Sequence, residues 1–270
     1  MTLPDIGSLW IGRHLSFLER LCMKSFVDAG HRFTLYTYEQ IEDPPDWVEI
    51  ADARAIYPDD TILVHTQRNS PAIHSDVFRV KMIARTGKIW ADLDAYCLRP
   101  FRTFDGYLMA WQDRRLVNNG VLALPPGSRA LAELEVFLST RGAVPPWWSD
   151  ADKAQFAQQG APADFATLPW ATTGPYALTH FLRATGEIDH AQRAEVLYPV
   201  PSTAKRLFLR RPGLVEPLLK DETLSIHFYA TGLRGRLAEA GPRKGTYLHG
   251  LAEKHGISLI DYPVKPYSST

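Results

Sequence analysis

The chain of 270 residues contains only two cysteines, Cys22 and Cys97. So few cysteines exclude a disulfide framework and a cysteine-rich metal site, and they suit a reducing compartment. No uncharged apolar run approaches the roughly 18 residues that a membrane-spanning helix needs. No lysine or arginine precedes Arg13 and no long apolar stretch lies near it, so we expect no secretory signal. We therefore expect a cytoplasmic protein whose contact with the inner face of a membrane is at most peripheral.

The chain also lacks net charge, because 30 Lys and Arg residues balance 30 Asp and Glu residues. This balance argues against a protein that works by neutralising nucleic-acid phosphates, so we expect no nucleic-acid partner. The charge is uneven, with 11 basic against 6 acidic residues from Pro201 onward. That basic last quarter either faces an anionic ligand or a membrane surface, or it is solvated surface with uneven charge.

Apolar and aromatic residues, by contrast, are plentiful. Hydrophobic residues make up 45% of the chain, with 12 Phe, 11 Tyr and 7 Trp, which excludes a disordered protein. A chain of this length fits one enlarged α/β domain better than two small ones. We therefore predict a single domain over residues 1–270.

Strand and helix patterns alternate at the start of the chain. Residues 6–11 and 31–38 are predicted strands, the second because aromatic and β-branched residues are interleaved there. Residues 15–28 carry apolar residues at helical spacing, and Gly30 ends this helix. A strand, helix, strand order predicts a parallel sheet with crossover helices.

A second helix leads into the most informative stretch. Ser75 is predicted to cap a helix over residues 75–85, Gly87 ends it, and residues 88–91 form a short strand. Later elements are a strand at 106–111, a strand at 120–124, a helix at 128–140, and a loop and short-helix insertion over the site at 145–177.

Asp92 and Asp94 directly follow the strand at residues 88–91. Ligands of open α/β sheets bind outside the carboxyl ends of the strands, and carboxylate oxygens suit Mg²⁺ or Mn²⁺. Such a metal would bridge two phosphate oxygens and stabilise a departing diphosphate. The alternative is a loop that carries two solvated acids.

Asp76 and Arg79 lie three residues apart on the predicted helix and share a face. Arginine binds phosphates or sugar hydroxyls, and aspartate accepts hydrogen bonds from sugar hydroxyls. The alternative is an ordinary ion pair on the helix surface.

These residues together resemble the DXD-motif sugar-binding glycosyltransferases, a family of mannosyl- and galactosyltransferases that is similar to glucosylating bacterial toxins. The resemblance covers residues 75–101 and has support outside them. The matching residues are Ser75-Asp76-x-x-Arg79, Gly87, Trp90, Asp92-x-Asp94, Leu98-Arg99-Pro100, Leu9-Trp10-Ile11-Gly12, Asn118-Asn119-Gly120 with Pro125-Pro126, and His227.

The resemblance implies a GT-A (Rossmann-like) α/β fold, with a mostly parallel sheet flanked by helices and a helical or loop insertion. It implies that residues of about 1–125 bind a UDP- or GDP-sugar and that about 126–270 bind a glycan or lipid-linked acceptor. It also implies retention of configuration and a part in polysaccharide biosynthesis.

The resemblance further implies individual roles. Asp94 would bind Mn²⁺ or Mg²⁺ directly, and Asp92 would contact the ribose or a metal-bound water. His227 would complete the metal shell, or it is a hydrogen-bonded core residue. The nucleotide and donor sugar would be bound by Trp10, Ile11, Gly12, Ser75, Asp76, Arg79, Trp90 and Asn119.

The chain departs from the family after the late histidine, where the usual Ser and Trp are missing. Arg234 and Arg236 are candidates to supply the missing phosphate contacts, because guanidinium groups remain charged and bind bidentately. Two smaller departures are Thr86-Gly87-Lys88 in place of Gly-Gly, and Trp90 in place of a tyrosine.

Indole rings can cover the apolar face of an acceptor sugar. Four residues are candidates for this role, although some of them will be core: Trp111, Trp147, Trp148 and Trp170. Asp113, at a predicted strand end, is a candidate hydrogen-bond acceptor for the incoming hydroxyl.

Two other functions remain open. A metal-dependent phosphohydrolase or nucleotidyltransferase also uses Asp-x-Asp with Mg²⁺, although Ala95 and Tyr96 are not the residues expected after an aspartyl-phosphate nucleophile. A non-catalytic nucleotide-sugar-binding protein would explain the missing Ser and Trp.

Overall fold

The computed structural model describes residues 2–59, 61–140, 142–158 and 164–265. Eight strands are present in these ranges. They are β1 (Ile6–Trp10), β2 (Phe33–Thr37), β3 (Glu49–Asp52), β4 (Ile89–Ala91), β5 (Ala95–Cys97), β6 (Leu108–Trp111), β7 (Val117–Ala123) and β8 (Ser225–His227).

Six of these strands form one mostly parallel sheet in the order β3-β2-β1-β4-β7-β6. The pairs β1–β2, β1–β4 and β2–β3 are parallel, whereas β7 runs antiparallel to both β4 and β6. Strands β5 and β8 form a separate antiparallel pair. The predicted α/β class is confirmed at the level of a mostly parallel sheet flanked by helices, which is compatible with a Rossmann-like fold.

Helices cover both faces of the large sheet. They are α1 (Phe17–Asp28), α2 (Ala72–Thr86), α3 (Arg129–Ser139), α4 (Asp150–Ala157), α5 (Ala177–Thr185), α6 (Ala194–Leu197), α7 (Arg234–Ala240) and α8 (Tyr247–Lys254). One apolar cluster joins the sheet to α2, α3 and α5, and a second joins it to α1. A third cluster packs β5, β8, α7 and α8 against the other side of α1.

A capping box fixes the start of helix α1 at Phe17. Ser16 is the N-cap, and the Glu19 carboxylate accepts a hydrogen bond from the Ser16 backbone amide at 2.8 Å, so the two residues form a capping box. The helix ends just before Gly30, which has φ +96°. The predicted strand, helix, strand opening is confirmed.

The start of α2 corrects one prediction, because Ser75 is not its cap. The helix begins at Ala72, and the Ser75 amide already donates to the Pro71 carbonyl at 3.2 Å. The Ser70 hydroxyl, 3.3 Å from the Ala72 amide, accepts from that first-turn donor instead. The predicted end at Gly87 is confirmed, with φ +65° there.

Strand β7 begins three residues earlier than predicted. Asn118 and Asn119 therefore lie inside a seven-residue strand and do not precede it. Ser128 caps α3 as expected. In the predicted insertion at 145–177, the structure describes α4, a 3₁₀ turn at Phe165–Thr167 and an irregular turn at Thr172–Tyr176, whereas residues 159–163 lie outside the described residues.

No helix in the described part of the chain is both long enough and apolar enough to cross a bilayer.

Candidate metal and substrate site

The two acids project from a tight turn at the carboxyl end of β4. The Asp92 amide donates to the Gly120 carbonyl at 2.7 Å, which continues the pairing with β7, and the Ala95 amide then donates to the Asp92 carbonyl at 2.9 Å. This bond between the first and fourth residues defines a β-turn. Leu93 is buried between the acids, so both carboxylates are free to face the same region.

The short β5–β8 ladder brings His227 to this turn. Ala95 pairs with His227, and the Phe228 amide donates to the Asp94 carbonyl at 2.8 Å. His227 Nε2 consequently lies 3.1 Å from Asp94 Oδ1 and 3.5 Å from Asp92 Oδ2. The three ligand atoms all lie within 4.8 Å of one another.

Gly120 on β7 closes the other side of this group. A Cβ atom there would lie 2.8 Å from His227 Nε2 and 3.0 Å from Asp92 Oδ2. Both separations are far below ordinary van der Waals contact. The group of Asp92, Asp94 and His227 therefore depends on a residue without a side chain at position 120.

The pKa values of the two acids are shifted in opposite directions. Burial alone would raise the pKa of Asp92, but Arg79, His227 and the Trp90 indole together hold that pKa below its ordinary value. Burial raises the pKa of Asp94, and the nearby Asp92 charge adds to this effect against the attraction of His227. The His227 pKa is raised, because the two carboxylates outweigh the effect of burial.

Arg79 links Asp92 to Asn119 and Asp76. Its guanidinium donates to Asp92 Oδ1 at 3.0 Å and to the Asn119 carbonyl at 2.9 Å, and it lies 3.3 Å from Asp76 Oδ1. The Trp90 indole, stacked 4.9 Å from the guanidinium carbon, also donates to Asp92 Oδ1 at 2.7 Å. This carboxylate is therefore fixed in orientation from two directions.

Asp76 belongs to a buried polar network behind Arg79. The side-chain amide of Asn119 donates to Asp76 Oδ1 at 2.9 Å, and the Thr173 hydroxyl donates to Asp76 Oδ2 at 2.7 Å. Burial raises the Asp76 pKa, and Arg79 opposes that shift. A Cβ at Gly174 would lie 2.9 Å from both Asp76 oxygens, so the turn before α5 fits closely over this carboxylate.

A second buried ion pair flanks the site on the α1 side. Arg234, at the start of α7, donates to Glu19, which also caps α1. The Trp10 ring at the end of β1 lies 5.9 Å from the Arg234 guanidinium carbon, and Gly12 turns the chain there with φ +116°. Arg234 is thus committed to Glu19 beside the predicted nucleotide-stacking residue.

The four carboxylates around the site have two arginine partners between them. Asp76 and Asp92 share Arg79, and Glu19 pairs with Arg234. The basic group described within salt-bridge distance of Asp94 is the His227 imidazole, which carries a charge only when it is protonated. A buried carboxylate without a full counter-charge is costly, and a bound cation is one of the ways in which proteins offset that cost.

Arg79, Tyr229 and Trp10 each have a buried polar atom for which the described residues offer no hydrogen-bond partner. The atoms are Arg79 Nε, Tyr229 Oη and Trp10 Nε1. Such atoms are rare in folded proteins and mark places where water, ions or ligands bind. The site therefore has the donors and acceptors for a polar ligand.

Two strained residues flank the same region. Five non-glycine residues in the described part of the chain have positive φ angles, and three of these are Asp or Asn, which tolerate that conformation. The other two are Ala171, with φ +69°, and Tyr229, with φ +54°. They lie two residues from Thr173 and from His227 respectively, and strain of this kind clusters at functional sites.

The donor set fits a divalent cation. Two carboxylates and one imidazole suit Mn²⁺ better than Mg²⁺, which prefers oxygen ligands. The Tyr229 amide lies 3.2 Å from His227 Nδ1 and donates to it. That contact keeps the proton of neutral imidazole on Nε2, so cation binding through Nε2 requires this proton to leave and the Tyr229 contact to adjust.

The remaining predicted residues lie around this centre. Ser75 and Ile11 are half-buried, and neither side chain makes a described hydrogen bond. Asp113 is exposed and accepts the Arg115 and Leu116 amides at 2.8 and 3.1 Å, so it caps the β6–β7 turn. It connects to the site through Gln112, which accepts from Asn118 at 2.7 Å.

Other site residues were not predicted. Glu19 carries a recognisable signal, because Ser16-x-x-Glu19 is a capping box, but its pairing with Arg234 has no local signature. Tyr198 and Tyr229, whose rings lie 5.8 and 4.5 Å from the His227 ring, come from loops without a regular pattern.

Solvent reaches the acids through their partly exposed side chains, 27% for Asp92 and 17% for Asp94. Two clefts, of about 540 and 410 Å³, lie elsewhere: the first between α1 and the loop before β3, the second beside α7. Neither is lined by the acids or by His227.

Comparison with models of known protein families and with curated proteins finds no match for this chain.

Proposed function

We propose that the protein is a divalent-metal-dependent glycosyltransferase that moves a hexose from a UDP- or GDP-sugar to a hydroxyl group of a glycan or lipid-linked acceptor. The observation that carries the proposal is the convergence of Asp92, Asp94 and His227 at a strand end, where one arginine is shared by Asp76 and Asp92 and an imidazole lies beside Asp94. The GT-A assignment and retention of configuration belong to the same proposal.

Each residue has a defined task in this scheme. Asp92, Asp94 and His227 hold the cation, which when bound offsets the charge of a departing nucleoside diphosphate. Arg79 and Trp90 fix the Asp92 carboxylate by their hydrogen bonds at 3.0 and 2.7 Å. Trp10 supplies the stacking surface for the base, and its buried Nε1 donates to the nucleotide.

The Asp76 network holds Arg79 in place, because Arg79 lies between two carboxylates that are themselves hydrogen-bonded. Asp113 is retained as a candidate acceptor for the incoming hydroxyl. The cellular side of the proposal is a cytoplasmic enzyme with at most peripheral membrane contact, and the two buried, unpaired cysteines support a reducing compartment.

A nucleotide-sugar screen with Mn²⁺ tests the proposal. Free nucleotide and inorganic phosphate are measured separately, with thermal shift as a binding readout. We expect one sugar nucleotide to release nucleoside diphosphate and to raise Tm. Release of inorganic phosphate would instead identify a phosphohydrolase, and binding without any turnover would identify a non-catalytic protein.

Asp94→Asn tests whether Mn²⁺ binds at the proposed group and not elsewhere on the protein. It keeps the shape of Asp94 but removes its charge, so we expect Mn²⁺ affinity and transfer to fall at least about 100-fold while the fold remains. Asp105→Asn, at an exposed turn residue with φ +50°, is the matched control. Equal activity of the two variants would refute the metal assignment.

A further inference from the structure

Trp170 is the exposed member of the four candidate indoles. Trp111 and Trp147 pack against the cluster of α2, α3 and α5, and Trp148 lies edge-on to Phe156 with centroids 5.2 Å apart. Trp170 is 40% exposed. An exposed indole offers a flat apolar face to a sugar ring.

Two anchored loops hold Trp170 in place. The Thr66 amide donates to the Ala166 carbonyl at 2.9 Å, and buried His65 donates to the Leu168 carbonyl at 3.0 Å. The His65 ring also meets the indole at a centroid distance of 5.3 Å. A ring that is already fixed loses little conformational entropy when a ligand stacks on it.

The chain connects Trp170 directly to the site. Ala171, in the strained left-handed conformation, turns the backbone, and both the amide and the hydroxyl of Thr172 donate to the Pro169 carbonyl, at 3.2 and 2.6 Å. Thr173 then donates to Asp76. Three residues span at most about 11 Å, so the Trp170 backbone lies within about 11 Å of Thr173.

A cation accompanies the indole. The guanidinium carbon of Arg68 lies 5.5 Å from the centre of the Trp170 ring, and Arg68 is exposed. Within the described ranges, no carboxylate lies within salt-bridge distance of Arg68. A ligand that contacts the exposed part of the indole therefore comes within reach of an uncompensated positive charge.

We infer that Trp170 and Arg68 form the acceptor subsite, and that the acceptor is a saccharide carrying a carboxylate or phosphate group. The indole contacts the apolar face of a sugar ring, and Arg68 pairs with the anionic substituent. The inference rests on the proposed function for the word acceptor, but the binding itself needs neither donor nor cation.

Calorimetric titration without donor or metal tests the subsite. The probes are tetragalacturonate, glucose 6-phosphate and the neutral maltotetraose. We expect the wild-type protein to bind at least one anionic probe at least tenfold more tightly than maltotetraose, with affinity that falls as salt rises. The two anionic probes distinguish a carboxylate from a phosphate acceptor.

Variants assign the binding to these two residues. Trp170→Ala should weaken binding of the anionic probe at least tenfold, and Arg68→Gln should reduce it to the level of maltotetraose. Trp47→Ala and Arg102→Gln, a half-buried indole and an exposed arginine elsewhere, should bind as wild type does. Equal binding of charged and neutral probes, or binding unaffected by Trp170→Ala, would overturn the inference.

The two proposals fail in different ways. Absence of nucleotide release from every sugar nucleotide removes the transferase proposal and leaves probe binding intact. Absence of probe binding in a protein that releases nucleotide removes the acceptor subsite alone.

Discussion

Gly120 is the residue on which the geometry of the acids depends most directly. In Gly120→Ala the new methyl group would meet His227 and Asp92 at 2.8 and 3.0 Å. Because both contacts are ends of side chains, the fold can adjust, but the ligand atoms must move apart. We expect Mn²⁺ affinity to drop at least about tenfold with little change in Tm, measured by calorimetry and thermal unfolding.

Gly127→Ala is the control for that prediction. A Cβ at Gly127 meets nothing within 4 Å, so this variant should bind Mn²⁺ as the wild type does. Unchanged affinity in Gly120→Ala would mean that the cation, if it binds, lies outside the group of Asp92, Asp94 and His227.

Arg79 is a structural residue as well as part of the site. Arg79→Met leaves the carboxylates of Asp76 and Asp92 without their shared guanidinium, and we expect the free energy of unfolding to fall by about 3–5 kcal/mol. Urea unfolding measures this change. Arg193→Met breaks an exposed pair with Glu222 and should cost less than about 1 kcal/mol. Similar losses in both would contradict the buried role of Arg79.

The sequence predicted the three residues at the centre of the site, but not the residues that hold them in position. Asp92, Asp94 and His227 meet as the family resemblance implied. The need for Gly120 and the pairing of Glu19 with Arg234 could not be predicted, because both depend on atoms that approach from distant parts of the chain.

Helix α2 anchors the loop before it through a neutral histidine. His74 accepts from the Leu63 amide at 3.3 Å and lies 2.9 Å from the Tyr38 hydroxyl. Since Tyr38 donates to the Tyr57 carbonyl, His74 Nε2 donates to Tyr38. Burial lowers the His74 pKa from 6.5 to about 4, so the folded protein disfavours the charged ring.

This histidine should make stability depend on pH. Between about pH 6.5 and 4 the unfolded chain takes up a proton that folded His74 does not, so the free energy of unfolding falls as pH falls. The contribution is on the order of 3 kcal/mol. We expect His74→Asn to lose this part of the difference between pH 7 and pH 4.5 in urea unfolding. An identical pH dependence in both proteins would contradict the prediction.

Elements were predicted where their pattern is long enough to read. Strand β1, helix α1 and helix α3 each have the expected periodicity or caps. Strands β5 and β8 have three residues each, too few for an alternation, and they pair across more than a hundred residues. The start of α2 was missed because Ser70, and not Ser75, bonds to its first turn.

The whole molecule must fold before the candidate metal group exists. The Ala230 amide donates to Asp94 at 2.7 Å across 136 positions of the sequence. We therefore expect Mn²⁺ binding to vanish in the same urea transition as the far-UV circular dichroism signal. Loss of binding at clearly lower urea, with intact dichroism, would show that the β5–β8 pair opens independently.

Cation binding should also raise global stability. At Mn²⁺ concentrations about 100-fold above Kd, linkage adds about 2.7 kcal/mol to the free energy of unfolding. Thermal unfolding of wild type with Mn²⁺ and with EDTA measures the effect. In Asp94→Asn, whose affinity is reduced at least about 100-fold, the same Mn²⁺ concentration should add at most about 0.4 kcal/mol. A Tm increase as large as that of the wild type would place the cation elsewhere.

The ladder between β5 and β8 has a consequence during synthesis. A nascent chain that has emerged only as far as α6 already contains Asp92, Asp94 and Arg79. It still lacks His227 and strand β8, which pairs with β5 directly after the turn that carries the two acids. Truncated products and proteolytic fragments that end before residue 225 would therefore carry the acidic motif without the imidazole that completes the group.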